Sequence, residues 1–394
     1  MSTSSWFPPL GDALPIDAER ATLVGRVWEP DLEGPTPVLI RDGQVHSLSR
    51  SYPTVSALAE AVNPAEAAEA AAGDVLGTLE GIYANTPFDT RDARAPWLLA
   101  PHDLQAVKAA GVTFAVSMIE RVIEERARGD LDAAADLRTV IGEKIGGDLR
   151  GLRPGSQRAA QLKDFLLAEG MWSQYLEVGI GPDAEIFTKT APLASRGTGD
   201  EVGVLASSKW NNPEPEVALL VASTGSVVGA TLANDVNLRD IEGRSALLLP
   251  KAKDNNASCA TGPFLRLFDD GFGIDDVRRM SISVRVAGED GFVLDASSDM
   301  TQISRDPLDL VSQLIGPHHQ YPDGAVLMLG TLFAPIDDRS APGKGFTHNV
   351  GDVVTIASAQ LGALVNVVRH SEECAPWTFG LGALMSNLSR RGLV

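Results

Sequence analysis

The residues best suited to chemistry are grouped in one stretch. Asn212-Pro213-Glu214-Pro215-Glu216 leads into an apolar run from Val217 to Ala222. A turn at Ser223-Thr224-Gly225-Ser226 follows, then a second apolar run from Val227 to Ala233 that ends in Asn234-Asp235. Glu214 and Glu216 stand at i and i+2, so an extended strand turns both carboxylates to one side. A hairpin closing at the turn returns Asp235 beside them. Three hard oxygen donors on rigid strands, with room for water or substrate, make a site for a Mg2+-type cation, and Mn2+ or Ca2+ suit the same donors. Lys253, in Pro250-Lys251-Ala252-Lys253-Asp254-Asn255-Asn256, follows as a candidate proton carrier, with Lys251 as a rival.

Composition bounds the rest. The chain has 394 residues, 33 basic against 52 acidic, for a formal charge of −19. Nucleic acid and anionic membranes call for a basic face, so neither is an expected partner. An anionic substrate stays possible, because one bound cation reverses the local field. Hydrophobic residues make up 44% of the chain, as in a globular protein. The N-terminus lacks the basic and apolar regions of a secretory signal, and no apolar run approaches the roughly 20 residues of a membrane span. The two cysteines, Cys259 and Cys374, make no disulfide framework and read as packing residues in a reducing, cytoplasmic setting.

The elements that must position the acidic trio can be read along the chain. Strand patterns occupy Ala21 to Trp28, Pro37 to Ile40 and Gln44 to Leu48, the last two joined by an Asp42-Gly43 turn. Residues 53–73 have helical spacing. Asp103 to Arg128 reads as helix with a possible break at Gly111, and Leu131 to Leu149 and Ser156 to Glu169 as further helices. From about 183 onward the pattern is strand and turn, with buried strands at 281–286, 325–329 and 353–357 and a helical insert at 306–315. The expected architecture is α+β, divided into a β-rich N-terminal stretch with a helix (1–98), a helical connecting or lid segment (99–180) and a metal-binding β domain (181–394).

The C-terminal half resembles the fumarylacetoacetate hydrolase superfamily. Ala184-Glu185-Ile186-Phe187-Thr188-Lys189 is similar to its strand ending in Phe-x-Lys. Glu214-x-Glu216 and Asn234-Asp235 match its metal carboxylates, Leu329-Gly330-Thr331 its Gly-Thr loop, and Gly351 to Val368 its closing segment. The resemblance covers roughly 180–370. It implies a mixed β-sandwich roll and a homodimer or homotetramer.

Two chemistries are known within that family. Hydrolases of acylpyruvate or fumarylpyruvate-type 1,3-diketones carry a His shortly before a Glu in a lid region. The corresponding stretch here, about 109–124, has no His, although His102 lies close by. The chain looks more like the 2-keto-3-deoxy-D-pentonate (arabinonate or xylonate) dehydratases. That resemblance implies a 2-keto acid chelated by the cation and loss of water to 2,5-dioxopentanoate. Glu185 and Lys253 would exchange the protons, in an order left open; a Lys beside a cation would have a depressed pKa. Lys189 and Thr331 would hold the carboxylate or keto oxygen. Ser117 and Glu120, one helical turn apart, would meet the C4 or C5 hydroxyls.

Overall fold

The computed structural model describes residues 4–114, 139, 152–170, 172–333, 339 and 345–394. Among the described residues the strands form two sheets. The larger has eleven strands, in the spatial order Val75–Thr78, Gln44–Ser47, Gly34–Arg41, Leu23–Glu29, Cys259–Leu267, Val227–Asp235, Pro215–Val221, Ala325–Met328, Ala106–Gly111 and Glu185–Thr190; Trp97–Leu99 adds to Leu23–Glu29. The smaller has five: Val293–Asp299, Ser281–Ala287, Val353–Ser358, Gly362–His370 and Glu201–Val204.

Alternation along one central strand explains how the layers stack. Val217, Leu219 and Val221 point into a core shared with Ile282, Val284, Val286, Val354 and Ile356 of the smaller sheet. Ala218, Leu220 and Ala222 point the other way, into a second core with Val55, Leu58, Ala65 and Ala68. The central strand is buried on both faces, so it reads as an unbroken apolar run rather than as alternation. Glu216 has the parity of Ala218 and Leu220, and so faces away from the sandwich interior.

The N-terminal stretch shares this sheet. Leu23 and Val24 pair with Arg266 and Leu265, so strands from residues 1–98 and 181–394 are hydrogen-bonded neighbours. Asp42 and Gly43 both have positive φ, 51° and 69°, as a two-residue primed hairpin turn requires. The expected helix over 53–73 is two helices, Val55–Ala59 and Pro64–Ala71, because Asn63 caps the second and Pro64 cannot continue the first. Gln157–Ala168 and Pro307–Leu314 are helical, close to the expected limits.

One expectation is corrected. Ala106–Gly111 is a strand and not the start of a helix, running parallel to Ala325–Met328 and antiparallel to Glu185–Thr190. Val107 and Ala109 enter one core while Ala110 enters the other. A short apolar run buried on both sides carries no period of its own, and small residues such as Ala suit helix and strand alike. Residues 115–128 of that helical reading, and the helix expected over Leu131–Leu149 apart from Thr139, fall outside the described residues.

Candidate metal centre

The hairpin of Pro215–Val221 and Val227–Asp235 sets the site. Glu216 pairs with Ala233 across the ladder, and the backbone N–H of Asp235 donates to the carbonyl of Glu214 at 3.0 Å. The expected same-side arrangement results. One carboxylate oxygen from each of Glu214, Glu216 and Asp235 lies within 4.8 Å of the others, and all three residues are buried.

Each carboxylate has its own support. Oε2 of Glu216 accepts the backbone N–H of Gly330 at 2.6 Å. Oε1 of Glu214 accepts from Asn237 Nδ2 at 3.1 Å, and the same amide donates to Glu242 at 2.7 Å. Lys253 Nζ donates to Glu214 Oε2 at 2.5 Å and to Asp235 Oδ2 at 3.0 Å. Lys189 Nζ lies 2.7 Å from the other Asp235 oxygen.

The electrostatics follow from this crowding. Burial pushes Glu216 well above the usual carboxylate range, and the neighbouring Asp235 and Glu214 add to the shift. Burial also raises Glu214, which Lys253 only partly offsets. Burial works against the charge of Asp235 too, but Lys189 and Lys253 outweigh it and hold that carboxyl low. Lys253 is held above its ordinary value: burial opposes its charge, yet Asp235 and Glu214 prevail. The expected depression of this lysine is therefore reversed among the side chains themselves, because its nearest neighbours are anions. An all-oxygen donor set with two carboxyls raised by burial and by repulsion from their neighbours fits a hard divalent cation, which supplies the missing positive charge.

The cavity over this trio is lined by Glu185, Phe187, Glu242, Lys253, Thr331 and the backbone around Gly111, besides the three carboxylates. Glu185 is pressed against Gly111; a Cβ there would fall 2.2 Å from its carboxylate. Val112 lines the same wall with φ of +54°, a costly conformation for a β-branched residue and one found where backbone strain serves a site. Thr331 accepts the N–H of Phe333 at 3.1 Å and follows Gly330, whose φ is +90°. Of the two rival lysines, Lys253 is buried and Lys251 is exposed.

Lys189 is completely buried but does not border the cavity; its ammonium also donates to the carbonyls of Val236 and Lys253. Ser117 and Glu120 lie outside the described residues. His102 is buried away from the cavity lining, and neither ring nitrogen has a hydrogen-bond partner among the described residues. Its imidazole is pushed down to about 3 by burial and by Arg26. Asn237 and Glu242 were missed from sequence. The one signal for them is that a polar pair follows Asp235 within seven residues, and polar turns are common.

Comparison with known proteins bears on the same stretch. Residues 182–369 match the family described as fumarylacetoacetate (FAA) hydrolase C-terminal. A probable 2-keto-3-deoxyxylonate dehydratase of Haloferax volcanii is 31% identical over 198 residues, 50% of this chain and 64% of that protein. A 2-dehydro-3-deoxy-D-arabinonate dehydratase of Saccharolobus solfataricus is 29% identical over 185 residues, 47% of this chain and 58% of that protein. The chain thus spans less than two thirds of the curated relatives it matches. A solved structure of 2-keto-3-deoxy-D-arabinonate dehydratase complexed with magnesium and 2,5-dioxopentanoate superposes with a TM-score of 0.60 at 22% identity, covering 88% of this chain and 99% of that one, which shows a common fold. Residues 182–369, the stretch that carries all three carboxylates and Lys253, are thus similar to the C-terminal domain of the fumarylacetoacetate hydrolase family.

Proposed function

We propose that the protein is a magnesium-dependent dehydratase of a 2-keto-3-deoxy-D-pentonate (arabinonate or xylonate), forming 2,5-dioxopentanoate. The observation that carries this reading is the buried convergence of Glu214, Glu216 and Asp235 on a cavity that Glu185 and Lys253 also border. The names of the two curated relatives and the contents of the magnesium-containing structure support it.

Glu214, Glu216 and Asp235 would hold the ion. When bound, it supplies a Lewis acid for the carboxylate and C2 carbonyl of a 2-keto acid, which acidifies the C3 proton. Gly330 and Thr331 sit at the rim where the substrate carboxylate would lie. Glu185 and Lys253 reach the cavity from different elements and form the pair that moves protons. One takes the C3 proton; the other delivers a proton to the C4 oxygen as the C4–O bond breaks and water departs. A proton then passes from C5 to C3, and the resulting C5 enol tautomerises to the aldehyde. Lys189, screened from the cavity, serves by fixing Asp235.

The competing hydrolase reading needs a histidine at the cavity, and His102 does not border it. The deciding experiment offers 2-keto-3-deoxy-D-arabinonate and an acylpyruvate separately, with magnesium, and follows aldehyde and pyruvate. Aldehyde from the sugar acid is the expected product. Pyruvate from the acylpyruvate alone would overturn the assignment.

A further inference from the structure

A second cavity of about 180 Å3 shares no lining residue with the acidic site. Its walls include Trp28, Trp377 and Phe379, and its polar groups are Arg26, Arg196, Ser195, Asp200 and Thr378. Phe379 stands edge-on to Trp28 at 5.1 Å, and Trp377 donates its indole N–H to the carbonyl of Phe379 at 2.9 Å. The aromatic wall is therefore fixed by its own contacts.

Arg26 is the anomaly. It is only 5% exposed, and Nε donates to the carbonyl of Ala100 at 2.9 Å. Its Nη1 is buried with no hydrogen-bond partner among the described residues. A guanidinium nitrogen left so gives up its hydration with no hydrogen bond in return. The nearby Asp103 does not take it up; that carboxylate accepts the backbone N–H groups of Val55, Ser56 and Leu104. Arg196 and Asp200 are 3.6 Å apart and largely answer each other. Two guanidiniums against one carboxylate leave the lining cationic in a chain of net charge −19.

We propose that this cavity binds a small planar monocarboxylate, with the carboxylate on Arg26 and the flat apolar body against Trp28, Trp377 and Phe379. A guanidinium matches a carboxylate in geometry as well as charge. The volume suits one ring, since a cavity of about 150 Å3 takes up benzene. A few polar groups in an aromatic cleft is the ordinary make-up of a small-molecule site. The loop bearing Ser195 and Arg196 is also tied to the metal-binding hairpin. Ser195 Oγ lies 3.2 Å from Cys259 Sγ, and Cys259 pairs with Asp235 across the ladder.

The test is calorimetric titration of the full chain with sodium benzoate, with benzamide as the neutral counterpart. Saturable benzoate binding is expected, with benzamide at least ~10-fold weaker for want of the charge-assisted contact. Arg26→Met should weaken benzoate by ~10-fold or more. Trp377→Ala, at an exposed position that does not threaten folding, should also weaken it. Glu216→Gln should leave it unchanged. Absence of benzoate binding, equal affinity for benzamide, indifference to both Arg26→Met and Trp377→Ala, or loss of binding in Glu216→Gln would each overturn the proposal.

Discussion

Oε2 of Glu216 accepts the backbone N–H of Gly330 at 2.6 Å, joining a candidate metal ligand to a loop 114 residues further along the chain. The bond gives the buried carboxylate one partner and places Thr331 at the edge of the same cavity. It also makes the loop's backbone geometry part of the candidate metal site.

Glu216→Gln should separate metal binding from folding. The amide oxygen of Gln can still accept from Gly330, while one of three mutually repelling buried charges is removed. Without metal, the variant should melt at or above the wild-type temperature. Wild-type protein should gain about 2.7 kcal/mol of stability at a hundredfold excess of magnesium over its Kd. Glu216→Gln should lose that gain together with activity. Melting curves with and without magnesium check both halves, and unchanged magnesium binding would remove Glu216 from the ligand set.

Lys253→Met should have a conditional effect. Deleting the ammonium leaves Glu214 and Asp235 buried without their shared partner, at a cost of about 3–5 kcal/mol in metal-free protein. Added magnesium should recover much of that stability but not turnover, which should fall by ~10²–10⁴-fold. Lys251→Ala, at the exposed rival position, should change neither. Urea denaturation and steady-state rates on the two variants decide it.

Gly330→Ala is expected to damage the site through the backbone. The residue has φ of +90°, and an added Cβ would stand 2.1 Å from Thr113 Oγ1 and 2.9 Å from the carbonyl of Ala110. Strain of this kind costs about 1–3 kcal/mol. The loop should shift and weaken the bond to Glu216, so magnesium affinity should drop along with stability. A variant with wild-type affinity and stability would show that the loop geometry is dispensable.

His102 should make the protein sensitive to mild acid. Burial and Arg26 push its imidazole down to about 3, whereas in the unfolded chain it titrates near 6.5. Between those values the unfolded state binds the extra proton, so falling pH favours unfolding, by up to about 1.4 kcal/mol per unit. His102→Gln should flatten the loss of stability between pH 6 and 4. Equal slopes for wild type and variant would show that other groups dominate that range.

How much of this could be read from the chain depends on the distance over which each feature is determined. The spacing of Glu214 and Glu216, the turn at 223–226 and the return to Asp235 are local, so strand alternation alone puts three carboxylates on one face. The Asp42-Gly43 turn and the Ser156-capped helix were legible for the same reason. The strand at Ala106–Gly111 was not, because it exists only by pairing with segments about 80 and 220 residues away. Choosing Lys253 over Lys251, setting Lys189 behind Asp235, recruiting Asn237 and Glu242, and keeping His102 out of the cavity were all decided by tertiary packing. Which of two similar side chains loses its water is a property of what packs over it, and that is supplied by remote parts of the chain.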